Sequence, residues 1–256
     1  MTLETQDLSY SYGAKKALNS VTLSGIEAGK VTALIGPNAA GKSTLFKAIA
    51  GMVKTRTGSI RLDGAELNEM SHRSRLRQVC YMPQVFAANA SLSVFDEVLL
   101  ARKNLTGSKV RDADIDAVSG LLAELGIAHL GKTYVSDLSG GQQQLVWIAQ
   151  ALAREPRVLV FNQPTSALDL HRQLEIMPII RQAVASRGII CMVAMLNINL
   201  ATRFADYLVL MRDGRIASGA DPVKVLAAKP AAPQPRRVKL ELDEDNQGRA
   251  HVSAHH

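Results

Sequence analysis

The chain has 256 residues, 47% hydrophobic and 21% charged, with a net charge of +7. That length and apolar content suffice for a full core in one large domain, or one domain with a subdomain, and exclude disorder beyond the ends. The positive balance suits nucleic acid, an anionic leaflet or an anionic ligand, but aromatics total only 4% and none interleave with the basic residues, which argues against nucleic acid. Basic clusters at Arg73, Arg75 and Arg77 and at Arg102, Lys103, Lys109 and Arg111 read as solvated helix faces, with membrane proximity as the second choice. The longest uncharged run, residues 188–202, is too short and Asn-rich for a membrane span, and the N-terminus lacks a signal pattern. The expectation is a soluble, cytoplasmic chain. Cys80 and Cys191 each sit in an apolar run and read as buried, reduced thiols.

Residues 2–35 alternate polar and apolar, with turns at Tyr12-Gly13 and Ala28-Gly29-Lys30, and predict an antiparallel opening followed by the buried strand Val31-Thr32-Ala33-Leu34-Ile35. Tyr12 can stack a flat ring on a nucleotide base, although a lone Tyr is also ordinary half-buried packing. Next comes Gly36-Pro37-Asn38-Ala39-Ala40-Gly41-Lys42-Ser43-Thr44, which fits G-x-x-x-x-G-K-[ST] between a strand and a helix-like segment. In such a loop the glycines let backbone N–H groups wrap a polyphosphate at a helix N-terminus. Lys42 would reach the outer phosphates, and the Ser43 hydroxyl would hold Mg²⁺. Ala39 stands where related loops mostly have Gly; a positive φ there predicts mild strain.

Residues 58–64 predict a short strand and an Asp63-Gly64 turn, residues 71–77 a helix, and Val79-Cys80-Tyr81-Met82 a strand stopped by Pro83-Gln84. From Ser91 to about Val135 the pattern is helical, an insert best read as a subdomain. Leu138-Ser139-Gly140-Gly141-Gln142 precedes a helix with Leu145, Ile148, Ala149 and Leu152 on one face, and its Ser and glycines form an anion site with outward donors. Val158-Leu159-Val160-Phe161 predicts a buried strand ending at Asn162-Gln163. The next helix runs from Asp169 to about Arg187; Pro178 inside it predicts a kink, or a cost of about 3 kcal/mol if it stays straight. Residues 189–196 read as a further buried strand, and residues 207–211 and 215–217 as a hairpin. Residues 222–228 suggest a last helical turn, 229–235 a Pro/Ala linker, 238–242 a strand, and His251, His255 and His256 a solvated tail.

These stretches, in this order, resemble the nucleotide-binding subunits of ABC transporters over about residues 1–220. Tyr81-Met82-Pro83-Gln84, Leu168-Asp169-Leu170-His171-Arg172-Gln173 and Asn199-Leu200-Ala201-Thr202-Arg203-Phe204-Ala205-Asp206 are most like iron-siderophore, haem and cobalamin importers. The resemblance implies an α/β fold: a P-loop NTPase core of ABC type, with a mixed sheet, flanking helices and an N-terminal antiparallel β part. It spans residues 1–228, with a helical subdomain at about 85–155 and a linker and tail at 229–256. It also implies ATP and Mg²⁺ as cofactors, a head-to-tail homodimer, transmembrane permease subunits as partners, a periplasmic binding protein as an indirect one, and a peripheral place on the cytoplasmic face of the inner membrane. Tyr12 then matches the adenine-stacking aromatic, and Gln84 a residue that contacts Mg²⁺ and water. Ser139, Gly140, Gly141 and Gln142 match the signature that meets the γ-phosphate across the dimer, and Asp169 a contact to the opposing chain.

Three positions depart from the family pattern. Asn162 stands where an Asp associates with Mg²⁺, Gln163 where a Glu polarises the attacking water, and Leu196 where a His contacts the γ-phosphate. An amide cannot accept a proton, so the expectation is a subunit that binds Mg-ATP and dimerises on it but hydrolyses it very slowly. Leu196 can also be read as a repacked core residue extending its strand. The alternatives are a non-catalytic, nucleotide-dependent clamp or regulator, and a soluble family member working on ribosomes or DNA, which usually carries two cassettes or long insertions.

Overall fold

The computed structural model describes residues 1–84, 91–103, 109–163, 170–220, 239–244 and 250–255. Its first layer is a four-stranded antiparallel sheet in the order β2-β1-β4-β5, made of β1 (Thr2–Tyr12), β2 (Lys15–Glu27), β4 (Thr57–Leu62) and β5 (Ala65–Glu66). The second is a six-stranded mixed sheet in the order β10-β9-β3-β8-β7-β6. It holds β3 (Val31–Ile35), β6 (Val79–Met82), β7 (Val158–Asn162), β8 (Ile190–Met195), β9 (Tyr207–Arg212) and β10 (Arg215–Ala220). All neighbours in it are parallel except the β9/β10 hairpin.

Strands β3, β7 and β8 are buried at every residue, which is why they read as continuous apolar runs. Their side chains alternate between two cores. Val31, Ala33, Leu159, Phe161, Cys191 and Val193 face one core, shared with α5 (Gly140–Ala153) and α6 (Leu170–Arg187). Leu34, Val158, Val160, Ile190 and Met192 face the other, shared with α1 (Lys42–Ile49) and the antiparallel sheet. Cys80 and Cys191 are both free and buried, and burial pushes both thiols up from the usual cysteine value.

The helical insert holds α3 (Val94–Lys103), α4 (Asp112–Glu124) and two short 3-10 turns. Asp114 ties α4 to α3, accepting from Arg102 at 3.1 Å and Lys103 at 2.7 Å, while Arg102 also reaches Glu155 at 2.7 Å beyond α5. A short helix, α2 (His72–Gln78), is capped by Ser71 and carries Arg75, buried. The Arg75 guanidinium donates to the carbonyls of Ala48 and Ile49 at the end of α1 and to Leu67 and Asn68. A cation at a helix C-terminus satisfies carbonyls that have no partner within the helix.

Helix α6 holds Pro178 within it, as expected, and Ile176, Met177 and Ile180 around the proline are packed into the core. One expectation is corrected. The strand expected over residues 189–196 is shorter: β8 ends at Met195 and α7 (Ile198–Phe204) begins at once, with Asn197 accepting from the Leu200 N–H at 3.1 Å as its N-cap. The strand expected at 238–242 is present as β11 (Lys239–Glu244), paired antiparallel with β12 (Ala250–His255), which holds His251 and His255. The turn expected at 222–228, the linker at 229–235 and Asp169 lie outside the described residues. No helix among the described residues is long and apolar enough to cross a membrane.

Candidate functional site

Parallel strands end on the same side of a sheet, and ligands in open α/β sheets bind beyond their carboxyl ends. Ile35 pairs with Met195, and Asn162 with Ala194, so the chain leaves β3, β7 and β8 side by side. The segments that leave these strands, together with the one that leaves β6, line a single cleft of about 460 Å³: Asn38 through Thr44, Gln84, Gln163 and Leu196. The tip of the β1–β2 hairpin closes it with Tyr12, Lys15 and Ala17.

The loop is shaped for close backbone approach. A Cβ on Gly36 would lie 2.1 Å from the Met211 carbonyl oxygen, and one on Gly41, at φ 105°, would lie 2.5 Å from that of Ala17. Ala39 has φ 63°, the left-handed value its place in the motif suggested, at a cost of about 1 kcal/mol. Lys42 is buried, and its ammonium donates to the carbonyls of Gly36 at 2.6 Å and Pro37 at 2.8 Å. Burial pushes that ammonium down from the usual lysine value.

Ser43 donates its hydroxyl to Asn162 Oδ1 at 2.9 Å. On the neighbouring strand β6, burial pushes the Tyr81 phenol up from the usual tyrosine value. Gln163 turns out of β7 at φ 57°, a second left-handed residue beside the cleft. Leu196 is 54% exposed, so it is not a core residue, and it lines both the cleft and a smaller cavity of about 150 Å³ with Gln163 and Gln173. It is left there because β8 has ended and the Asn197 cap has begun α7.

Tyr12 is 46% exposed, with its ring held edge-on by Tyr10 at 4.9 Å and 83°. Lys15 is a site residue that carries no motif of its own. Its only sequence signal is its place across the Gly13-Ala14 turn, where it pairs directly with Tyr12 and so projects from the same face. The signature residues lie elsewhere. Ser139 and Gln142 form a capping box at the start of α5, in which Ser139 N–H donates to Gln142 Oε1 at 2.9 Å and its hydroxyl accepts from Gln142 N–H at 3.4 Å. Ser139 and Gly140 are exposed, and neither lines the cleft of their own chain.

A strand-loop-helix phosphate cradle at the carboxyl edge of a mixed sheet, beside an antiparallel β layer and a helical insert, defines a P-loop NTPase core of ABC type. The family model described as "ABC transporter" matches residues 18–166. An ABC transporter ATP-binding protein of Methanocaldococcus jannaschii is 36% identical over 216 residues, covering 84% of each chain. The iron(3+)-hydroxamate import ATP-binding protein of Bacillus subtilis is 31% identical, over 88% of this chain and 84% of its own. Among solved structures, a subunit of the cbiONQ ABC transporter complex of Clostridium perfringens is 29% identical with a TM-score of 0.78, over 88% of this chain and 90% of its own. The chain belongs to the ABC transporter family. Within it, the resemblance is to the ATP-binding subunits of siderophore, haem and cobalamin importers.

The magnesium expected with that family is a harder fit. The candidate donors are the Ser43 hydroxyl and the side-chain amides of Gln84 and Asn162, all neutral, and no carboxylate among the described residues lines the cleft. Mg²⁺ is usually held through one or two carboxylates together with phosphate oxygens. The described residues therefore do not fit a resident magnesium ion.

Proposed function

We propose that the chain is the ATP-binding subunit of an importer of the iron-siderophore, haem or cobalamin type. Nucleotide lies over residues 36–44 with its base against Tyr12. Two copies close head to tail, so that Ser139, Gly140, Gly141 and Gln142 of each cover the triphosphate of the other and Asp169 meets the opposing chain. Closure works on transmembrane permease subunits at the cytoplasmic face of the inner membrane, where a periplasmic binding protein supplies cargo from the other side. Residues 1–228 are the ATP-binding unit, with the helical subdomain at about 85–155, and residues 229–256 are a linker and tail. An exposed signature that lies outside its own cleft supports the dimer, and relatives named for hydroxamate and hemin import support the cargo class.

In this reading, hydrolysis is slow. The observation that carries it is the neutral set Asn162, Gln163 and Leu196 around the phosphate loop, which offers neither a base nor a cationic donor to the terminal phosphate. Loss of a positioned base alone is about 10²–10⁴ in rate. Phosphate release by the chain, compared with Asn162→Asp, Gln163→Glu and Leu196→His combined, tests it; equal turnover in the two proteins overturns slow hydrolysis. The same neutral set favours a second reading, a nucleotide-dependent clamp or regulator that closes without cycling. ATP turnover after reconstitution with a permease separates the two.

A further inference from the structure

Resting on the reading of this cleft as a nucleotide site, we propose that it takes the metal-free nucleotide, with Lys15 and Lys42 rather than a magnesium ion balancing the phosphate charge.

A nucleotide polyphosphate carries several negative charges, and a protein site offsets them with cations, backbone N–H groups or both. Here the metal half of that arrangement is altered at its protein end. The Asn162 oxygen accepts from the Ser43 hydroxyl at 2.9 Å, so the group beside the metal position is neutral and already hydrogen-bonded. A cation arriving with the nucleotide meets no carboxylate among the described residues of the cleft. The cationic half is reinforced. Lys42 is fixed at the base of the loop by two carbonyl oxygens. Lys15, exposed, enters from the hairpin tip and forms no ion pair among the described residues. Exchanging a carboxylate for an amide has two effects of one sign: the anionic nucleotide meets less repulsion, and the divalent cation less attraction. The affinity advantage of the metal complex over the free nucleotide shrinks accordingly.

The test is a calorimetric titration of the full chain with ATP, once with excess Mg²⁺ and once with EDTA. The expected result is two dissociation constants within about fivefold of each other. A larger strengthening by Mg²⁺ overturns the inference and leaves the nucleotide site standing. No binding in either buffer overturns the nucleotide reading and this inference with it. Asn162→Asp is expected to weaken binding in EDTA and restore a Mg²⁺ effect of about tenfold or more. Lys15→Gln lies on an exposed hairpin and should leave the melting temperature unchanged while weakening binding in EDTA about five- to tenfold. An unchanged affinity in EDTA for Lys15→Gln removes that residue from the charge balance and overturns the inference as stated.

Discussion

Ser43 and Asn162 lie 119 positions apart in the chain, yet the hydroxyl of one donates to the amide oxygen of the other at 2.9 Å. The bond pins the first turn of α1 to the end of β7, and Asn162 is only 7% exposed, so water is a poor substitute for the serine. Ser43→Ala is expected to destabilise the fold by about 1 kcal/mol, read as a lower urea midpoint at unchanged slope. A midpoint at or above the wild-type value would show that the contact is not formed in solution.

Leu196 provides the opposite case. At 54% exposure in the mouth of the cleft it contributes little to the core, so Leu196→Ser should change stability by less than about 0.5 kcal/mol. Val193, fully buried three residues earlier in β8, should lose more than about 2 kcal/mol on the same exchange. Thermal melts of the two variants side by side decide whether position 196 belongs to the site or to the interior.

Tyr12 lines the cleft and meets Tyr10 edge-on. Stacking of a base on an aromatic is worth about 1–3 kcal/mol, so Tyr12→Ala should raise the ATP dissociation constant by about tenfold. Tyr12→Phe, which keeps the face and loses the hydroxyl, should bind within about twofold of wild type. Equal losses in both variants would assign the effect to the hydroxyl instead.

Asp114 gives the helical insert an acid-sensitive joint. The Lys103 ammonium first, then the Arg111 N–H and the Arg102 guanidinium, hold its carboxyl well below the usual carboxylate range. A depressed carboxyl contributes stability at pH values above its unfolded value, near 4, and loses that contribution as the pH falls below it. Asp114→Asn should therefore melt lower than wild type at pH 7, and the difference should close as the pH is taken from about 4 towards 2. A constant gap across that range would mean that packing, not charge, sets the effect.

Much of this arrangement was legible in the residues, for identifiable reasons. Strands buried on both faces, such as Val158 to Asn162, announce themselves as short apolar runs, and the phosphate loop carries its glycines where a Cβ would lie 2.1–2.5 Å from another segment's carbonyl oxygen. The capping box at Ser139 and Gln142 is written in consecutive residues. The features that could not be read depended on contacts between distant segments or on a cap inside an apolar stretch. Helix α7 was hidden because Asn197, its cap, sits in an uncharged run that reads equally well as strand, and Leu196 was drawn into that strand with it. Lys15 became a site residue only through its pairing with Tyr12. The second strand of the tail, β12, has a composition that looks like solvent-facing coil until its partner β11 is placed beside it.

The pairing of Tyr12 with Lys15 sets how far this hairpin tolerates change in length. Successive residues of a strand point to opposite sides, so lengthening the Gly13-Ala14 connection by one residue while the strands keep their places would turn either the ring or the ammonium outward. Insertion at this tip, although it lies on the surface and far from the glycine cradle in sequence, would thus strip the cleft of one of its two outer walls. A connection lengthened by two residues, by contrast, can return both groups to the same side.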